Sequence, residues 1–376
     1  SPRAGATPPE GPGTIPLPTP PIAPAIDMGS LSTPFTSVTA DEASGIARAL
    51  YGVTGDFRRF ASEQDDTFRI LSPDGASYVM KVANPGEQRD ELDLQVRTLR
   101  HIAATDPALP VPRVFDTLDG QLLPVIDAGP GAGRIVRMYS FLDGTVLDTT
   151  ATLPDELPQI GDTLGRLRLA LQGFEHPGAE RVLAWDIRQL PGLAPLLDDV
   201  EDPVHRRLLG AALDRYLALY PRIAALRRQV LHNDFSRSNL VVDRTGPARL
   251  SGIIDFGDVV KTAVAIDVST AMLNWLPRDQ ATNPRADLMD DGKRILAAYL
   301  RVAELTEEEL ALLPHLVMGR AVTRGLISLW RARTFPENRT YILRNTDQGW
   351  AQLDWFLARD PDTLSETFTT FKETTR

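Results

Sequence analysis

Two short segments place acidic and amide side chains at the ends of apolar, strand-like runs. The first is LHNDFSRSNLVVD at 231–243, where Asn239 follows Asp234 after five residues, and the second is GIIDFGD at 252–258, which contains Asp255. Carboxylate and amide oxygens are hard donors that suit Mg²⁺. A carboxylate at a strand exit can also orient a hydroxyl for phosphoryl transfer. The pattern predicts that Asp234 acts on the hydroxyl while Asn239 and Asp255 hold the metal.

The order and spacing of these segments match the catalytic-loop and DFG pattern of kinases. Lys81 in YVMKVA lies on the third predicted strand, where a phosphate-binding lysine is expected. A turn-capping Asp234 and a solvated pair of Asp255 and Asp258 would explain each segment separately. They do not explain the ordered set, which favours a kinase.

The chain resembles the aminoglycoside phosphotransferase and choline kinase superfamily, which shares the protein-kinase fold. Within it the chain most resembles hydroxylysine kinases and the phosphotransferase domains attached to some class III aminotransferases. The stretches that carry the resemblance span most of 50–275: SEQDDTFRIL, YVMKVAN, LDLQVRTLRHIA, LPVPRV, RIVRMYSFLDGTVL, LAWDIRQL, LRRQVLHNDFSRSNLVVD and SGIIDFGD. The resemblance implies that ATP or GTP phosphorylates a hydroxyl of a small, amine-bearing and hence cationic acceptor.

The resemblance also implies nucleotide-binding residues. Lys81 corresponds to the lysine on the α- and β-phosphates, and Met138, Tyr139 and Phe141 correspond to the hinge whose backbone binds the base. The 62–68 loop, SEQDDTF, corresponds to the loop over the nucleotide. It lacks GxGxxG, so phosphate contacts there are expected from backbone groups and Ser62.

Two positions depart from the family pattern. The helix residue that orients the lysine is usually acidic, and here Gln95 takes that position, with Glu91 one turn earlier on the same face. The sequence leaves open which of the two orients Lys81. Ser238 replaces a histidine that often precedes the metal-binding amide.

Four further residues have competing interpretations. Asp258 is equally compatible with capping the next helix and with contacting metal or substrate. Trp185 and Asp186 suit an ammonium group, although a packed Trp185 and a helix-capping Asp186 are slightly favoured. We expect His232 to hold its loop by hydrogen bonds and not to act as a base.

The elements that must position these residues divide the chain into two lobes, in an α+β, bilobal, protein-kinase-like fold. Residues 1–34 hold ten of the 30 prolines and are expected to be a disordered leader. Residues 35–141 are predicted to form a small antiparallel N-lobe with a helix near 41–53 capped by Thr39 or Asp41. A second helix is predicted at 89–104, and QLLPVID, 121–127, is predicted as one of the strands. Residues 142–376 are predicted to form a larger, mainly helical C-lobe.

Composition excludes several alternatives. Cysteine is absent, which excludes disulfides and thiolate chemistry and is compatible with a cytoplasmic location. The net charge of −10 argues against nucleic acid as a partner. No uninterrupted apolar run reaches the ~20 residues of a membrane span, so no membrane partner is expected. The expected ligands are Mg²⁺, ATP or GTP, and a small acceptor. A silent nucleotide-binding protein and an antibiotic kinase are the alternatives, and the oligomeric state stays open.

Overall fold

The computed structural model describes residues 34–60, 62, 65–247 and 249–374. The predicted leader, 1–34, lies outside this range except for Pro34. Helix α1 (Ala40–Tyr51) begins at a capping box. The Thr39 hydroxyl accepts from the Glu42 amide, and the Glu42 carboxylate accepts from the Thr39 amide. Of the two predicted caps, Thr39 is therefore the one used.

A five-stranded antiparallel sheet follows, in the spatial order β1-β2-β3-β5-β4. Its strands are β1 (Asp56–Phe60), β2 (Asp66–Leu71), β3 (Ser77–Val82), β4 (Val114–Phe115) and β5 (Val136–Ser140). Because side chains alternate along a strand, one face presents apolar residues that pack with α1, including Phe68, Ile70, Met80, Val82 and Met138. The opposite face therefore presents Thr67, Lys81 and Arg137.

The predicted 89–104 helix is present as α2 (Arg89–Thr105), which buries Leu92, Val96, Leu99 and Ile102. The predicted strand in QLLPVID, 121–127, is wrong. Only an isolated bridge between Val125 and Ile135 forms there. Pro124 offers no amide donor to continue a ladder.

The remaining chain is mainly helical. Its α-helices are α3 (Glu156–Leu171), α4 (Leu190–Leu193), α5 (Pro203–Ala224), α6 (Ala265–Asn274), α7 (Asp290–Val302), α8 (Glu307–Thr334), α9 (Arg339–Leu343), α10 (Gln348–Leu357) and α11 (Pro361–Thr374). Short 3₁₀ turns occur at Leu147–Thr149, Pro177–Glu180, Ile187–Gln189, Ala194–Asp199, Arg237–Asn239 and Pro336–Asn338. The small antiparallel sheet with a larger helical part agrees with the predicted fold class.

Two small sheets interrupt the helices and carry the two acidic segments. One pairs β7 (Arg228–Leu231) with β10 (Val260–Ala263), and the other has the order β6-β8-β9. The strands of the second are β6 (Thr145–Val146), β8 (Leu240–Asp243) and β9 (Arg249–Ile253). These short ladders fix the chain on both sides of the HND and DFG segments.

Helix α8 is long and apolar enough to cross a membrane by length and composition alone. However, 94% of its most apolar 18-residue window is buried inside the protein. It is therefore packed as the core helix of a globular protein is packed.

Candidate active site

The loop that carries Asp234 leaves β7 through a constrained turn. Asn233 has a φ of 66°, in the left-handed region that few residues other than glycine adopt. The buried carboxylate of Asp267, on α6, accepts hydrogen bonds from the amides of His232 and Asn233, at 3.1 and 2.7 Å. Asp267 therefore stabilises the backbone conformation that presents Asp234.

Hydrogen bonds hold the Asp234 side chain from two sides. The Asn239 amide nitrogen donates to its Oδ2 at 2.8 Å and to its backbone carbonyl at 3.0 Å. Arg320, from α8, lies 3.4 Å from its Oδ1. Both hydrogen bonds of the Asn239 side-chain nitrogen therefore go to Asp234. The Asn239 side-chain oxygen is the atom available to another ligand.

His232 holds the loop, as the sequence predicts. Its Nδ1 accepts from the Asp234 amide at 3.2 Å, which leaves Nε2 to donate to the Ile254 carbonyl at 3.0 Å. The ring also lies edge-on to Phe256 of the DFG segment, with centroids 4.6 Å apart. These contacts join the two acidic segments to each other.

Asp255 stands next to Asn239 because β8 and β9 are paired. The Ile254 amide donates to the Asn239 carbonyl at 2.9 Å, directly before Asp255. Asp255 has a φ of 58°, and its Oδ1 accepts from the Gly257 amide at 3.1 Å. The exposed carboxylate and the Asn239 side chain therefore belong to one site.

The site concentrates negative charge. Burial, together with the carboxylates of Asp234 and Asp255, raises the pKa of Asp258 to about 6. A bound cation would relieve this repulsion. Among the described residues, no group of three His, Cys, Asp or Glu side chains could hold a metal alone. The donors fit Mg²⁺, which commonly binds one or two protein oxygens together with substrate phosphates.

Lys81 is paired with Asp65 and not with either residue proposed from the sequence. Its Nζ lies 3.7 Å from the Asp65 carboxylate. The charge of Asp65, and to a smaller extent that of Asp255, raises the pKa of Lys81 against the effect of burial. Lys81 therefore lies near both Asp65 and Asp255.

The expectation that Gln95 or Glu91 orients Lys81 is corrected by this geometry. The Gln95 side-chain oxygen accepts from Arg137 at 2.6 Å. Arg137 is the cross-strand partner of Lys81, and it also lies 3.5 Å from Asp65. Glu91 lies in the first turn of α2. Gln95 thus supports the arginine beside the lysine and not the lysine itself.

The other residues expected at the nucleotide site lie in or next to the five-stranded sheet. The Ser62 hydroxyl donates to Asp65 at 2.9 Å. Met138 and Tyr139 lie inside β5, which is paired with β3 on one side and β4 on the other. The Phe141 amide donates to the Ser77 carbonyl at 3.0 Å. The sheet uses part of this backbone, and the expected base contacts from the hinge stay a prediction.

A cavity of about 340 Å³ opens beside Asp234. Trp185 and Asp258 line it, together with Arg320, whose guanidinium lies 5.4 Å from the centre of the Trp185 ring. Asp258 does not cap a helix, because the chain continues through Val259 into β10. The cavity is where an acceptor would reach Asp234.

Asp186 does not line this cavity. It is buried, accepts from the Thr262 hydroxyl at 2.8 Å, and caps the 3₁₀ turn Ile187–Gln189 through the Arg188 amide. The capping interpretation of Asp186 therefore matches the structure, and a substrate contact does not.

Sequence reasoning missed four residues that shape the site: Asp65, Arg137, Asp267 and Arg320. Asp267 had a detectable signal, since it is a lone carboxylate in the apolar helix AVAIDVSTAML, and buried charges are rare without a role. Arg320 lies in a similarly apolar helix. Asp65 and Arg137 had no comparable signal, because ordinary strand and loop residues surround them.

Comparison with known proteins gives consistent results. The model of the phosphotransferase enzyme family named APH matches residues 56–305. Hydroxylysine kinase of Danio rerio is 25% identical over 338 residues, covering 86% of this chain and 93% of that protein. Homoserine kinase of Agrobacterium fabrum is 26% identical over 318 residues, covering 83% and 91%.

A solved structure of amicoumacin kinase in complex with AMP-PNP, Ca²⁺ and Ami has a TM-score of 0.61 and 16% identity. The match covers 84% of this chain and 94% of that one. At this identity the likeness concerns the fold, and it confirms the predicted protein-kinase-like class. With two thirds of its length matched by the family model, the chain belongs to the phosphotransferase enzyme family.

Proposed function

We propose that the protein transfers the γ-phosphoryl group of ATP or GTP to a hydroxyl of a small, amine-bearing acceptor. The observation that carries this proposal is the placement of Asp234. Asn239 and Arg320 fix its carboxylate at the wall of the cavity, and the Asp255 carboxylate acts on the same lysine as Asp65. The relatives named hydroxylysine kinase and homoserine kinase support an acceptor with a hydroxyl and an amine.

Each residue has a distinct role in this proposal. Asp234 orients the acceptor hydroxyl and accepts its proton. Asn239 and Asp255 hold Mg²⁺, which neutralises charge on the phosphates. Lys81, kept in place by Asp65, binds the phosphates, and Ser62, which precedes β2, contacts them from the other side; positions 63 and 64 of the predicted 62–68 loop lie outside the described residues.

We place the nucleotide between residues 35–141 and residues 142–376. The acceptor binds in the cavity of the second part. We propose that backbone groups of the hinge segment, Met138–Phe141, contact the base, because the Met138 side chain packs with α1 on the face of the sheet opposite Lys81. The lack of cysteine is compatible with a cytoplasmic location.

The test is release of ADP or GDP, measured with Mg²⁺ and each nucleotide against hydroxylysine, homoserine, ethanolamine, choline and several aminoglycosides. Asp234→Asn should lower turnover about 10²- to 10⁴-fold, because a positioned proton acceptor is lost. Nucleotide affinity should change little.

Asp199→Asn is the matched control, since Asp199 is an exposed carboxylate that pairs with Arg333 and does not line the cavity. It should keep wild-type turnover. Wild-type rates in Asp234→Asn would refute the assigned role. The absence of phosphorylation of every acceptor with both nucleotides would favour a silent binding protein.

A further inference from the structure

One face of α8 forms a wall of the cavity. Arg320, Arg324, Ser328 and Arg331 all line it. Their spacing of four, four and three residues places them on one side of a helix. Arg320 is the residue that touches Asp234. The arginines of this wall therefore begin at Arg320, next to Asp234, and continue along α8.

Arg324 is the most informative member of this row. It is half-buried, and its Nη2 donates to the Gln352 side-chain oxygen at 2.9 Å. Gln352 is itself fixed, because its nitrogen donates to the Pro277 carbonyl at 3.1 Å. In the described part of the chain, Arg324 forms an ion pair with no carboxylate. A partly buried cation with only a neutral partner is unfavourable unless an anion completes the site.

The charges around Arg324 reinforce this conclusion. Burial, followed by the positive charges of Arg320 and Arg278, lowers the pKa of Arg324 to about 10. It therefore remains a cation at neutral pH. The Asp148 carboxylate at the cavity is paired with Arg278 at 2.7 Å. That carboxylate is thus already engaged and is not the partner Arg324 lacks.

A second arginine at the cavity, Arg344, also has neutral partners. Its guanidinium lies 3.7 Å from the centre of the Tyr341 ring and donates to the Tyr341 carbonyl at 2.9 Å. Asp234 and Asp258 supply negative charge near the reacting hydroxyl. The cavity lining thus combines the Asp234 and Asp258 carboxylates with several arginines, which does not match an acceptor that carries only amines.

We infer that Arg324, assisted by Arg344, binds a carboxylate of the acceptor, so that the acceptor is a hydroxylated amino acid and not an amino alcohol or an aminosugar. This inference rests on the proposed kinase function. Arg324 lies one helical turn, about 6 Å, beyond Arg320 along α8. That offset matches a molecule with a few carbon atoms between its hydroxyl, held at Asp234, and its carboxylate.

Matched acceptor pairs test the inference. L-homoserine is compared with 3-aminopropan-1-ol, and 5-hydroxy-L-lysine with 1,5-diaminopentan-2-ol. The two members of each pair differ only by the carboxylate. In the wild-type protein, kcat/KM for at least one amino acid should exceed that of its decarboxylated analogue about tenfold to a hundredfold, the effect of a charge-assisted hydrogen bond.

Arg324→Gln should reduce this preference to within about threefold, mainly through a higher KM for the amino acid. Arg324→Lys retains the charge and should restore part of the preference. Arg333→Gln is the control, because Arg333 is an exposed arginine on the same helix that pairs with Asp199 at 2.9 Å. Thermal unfolding of each variant shows whether it is folded.

Three outcomes separate this inference from the function beneath it. A wild-type protein that phosphorylates the amino alcohols as well as the amino acids overturns the inference and leaves the kinase function intact. A folded Arg324→Gln variant with an unchanged preference also overturns it. Absence of phosphorylation of all four compounds and of every other acceptor overturns both.

Discussion

At the scale of single residues, the sequence predicts the position of Lys81 on its strand but does not predict that Asp65 pairs with it. Lys81 and Arg137 stand directly opposite each other on paired strands. Two cations so placed repel each other. Asp65 lies within 3.7 Å of both. Burial alone would raise the pKa of Asp65, but Lys81 and Arg137 bring it below its ordinary value. Asp65 therefore stays ionised and stabilises both cations.

Asp65→Asn should weaken Mg²⁺·nucleotide binding about tenfold or more and lower the free energy of unfolding by about 3 kcal/mol, because it removes the carboxylate that pairs with both cations. Nucleotide titration and urea unfolding measure the two effects. Asp74→Asn, in the exposed turn between β2 and β3, is the control. If Gln95→Leu weakens nucleotide binding more than Asp65→Asn does, Gln95 is the orienting residue after all.

At the scale of elements, the loop that carries Asp234 depends on how closely α3 and α7 pack. A Cβ on Gly161 would lie 2.0 Å from the Ile295 carbonyl oxygen, and one on Gly165 would lie 2.9 Å from the Val302 Cβ. Only glycine allows this approach. Helix α3 in turn supports β7, since the Gln229 side chain donates to the Arg168 carbonyl at 3.0 Å. The packing of α3 against α7 therefore also helps to position β7, the strand that ends directly before His232.

Gly161→Ala should lower the free energy of unfolding by about 3 kcal/mol, because the new methyl group must push the two helices apart. Urea unfolding measures the change. Gly45→Ala, on α1, is the matched control, since nothing lies within 4 Å of its Cβ position. It should stabilise the protein by up to about 1 kcal/mol, the difference in helix propensity. Equal effects of the two substitutions would contradict the close-packing argument.

At the scale of the whole molecule, α8 connects the site to the C-terminal helix. Its middle supplies Arg320 and Arg324 to the cavity. Nearer its start, His315 is buried, and its Nε2 lies 2.9 Å from the Ser365 hydroxyl on α11. Burial, with the charges of Arg215 and Arg222, lowers the pKa of His315 to about 4. The folded protein therefore keeps this ring neutral.

This neutral ring predicts a loss of stability in acid. Between pH 6.5 and pH 4 the unfolded chain takes up a proton at His315 and the folded protein does not, so stability falls as the pH falls. The contribution is up to about 3 kcal/mol. Asp267, whose pKa burial raises to about 6, acts with the opposite sign in this range.

Comparison with His315→Gln isolates the histidine, because glutamine can still contact Ser365 but does not titrate. Urea unfolding is measured at several pH values from 7 to 4. The stability advantage of the wild-type protein over the variant should shrink as the pH falls. Parallel stability curves for the two proteins would refute this account.

The sequence alone predicted a strand-rich region followed by a mainly helical one, and the long amphipathic helices, as the structure has them. It also proposed the roles of Asp234, Asn239, Asp255 and Lys81, which stay predictions. These features are local, because the apolar periodicity of a helix and the residue spacing of a motif can both be seen in a short stretch of sequence. The prediction of a strand at 121–127 was wrong because Pro124 interrupts the hydrogen bonds that a strand needs.

Only the tertiary structure decided which side chains meet across the fold. Asp65 rather than Gln95 reaches Lys81, Asp267 holds a loop more than thirty residues before it, and α8 brings arginines to the cavity. Each contact joins segments whose separation along the chain carries no signal in a single sequence. Strand register and helix packing set the distances between these residues. The ion pairs that form at these distances stabilise the charged side chains of the site.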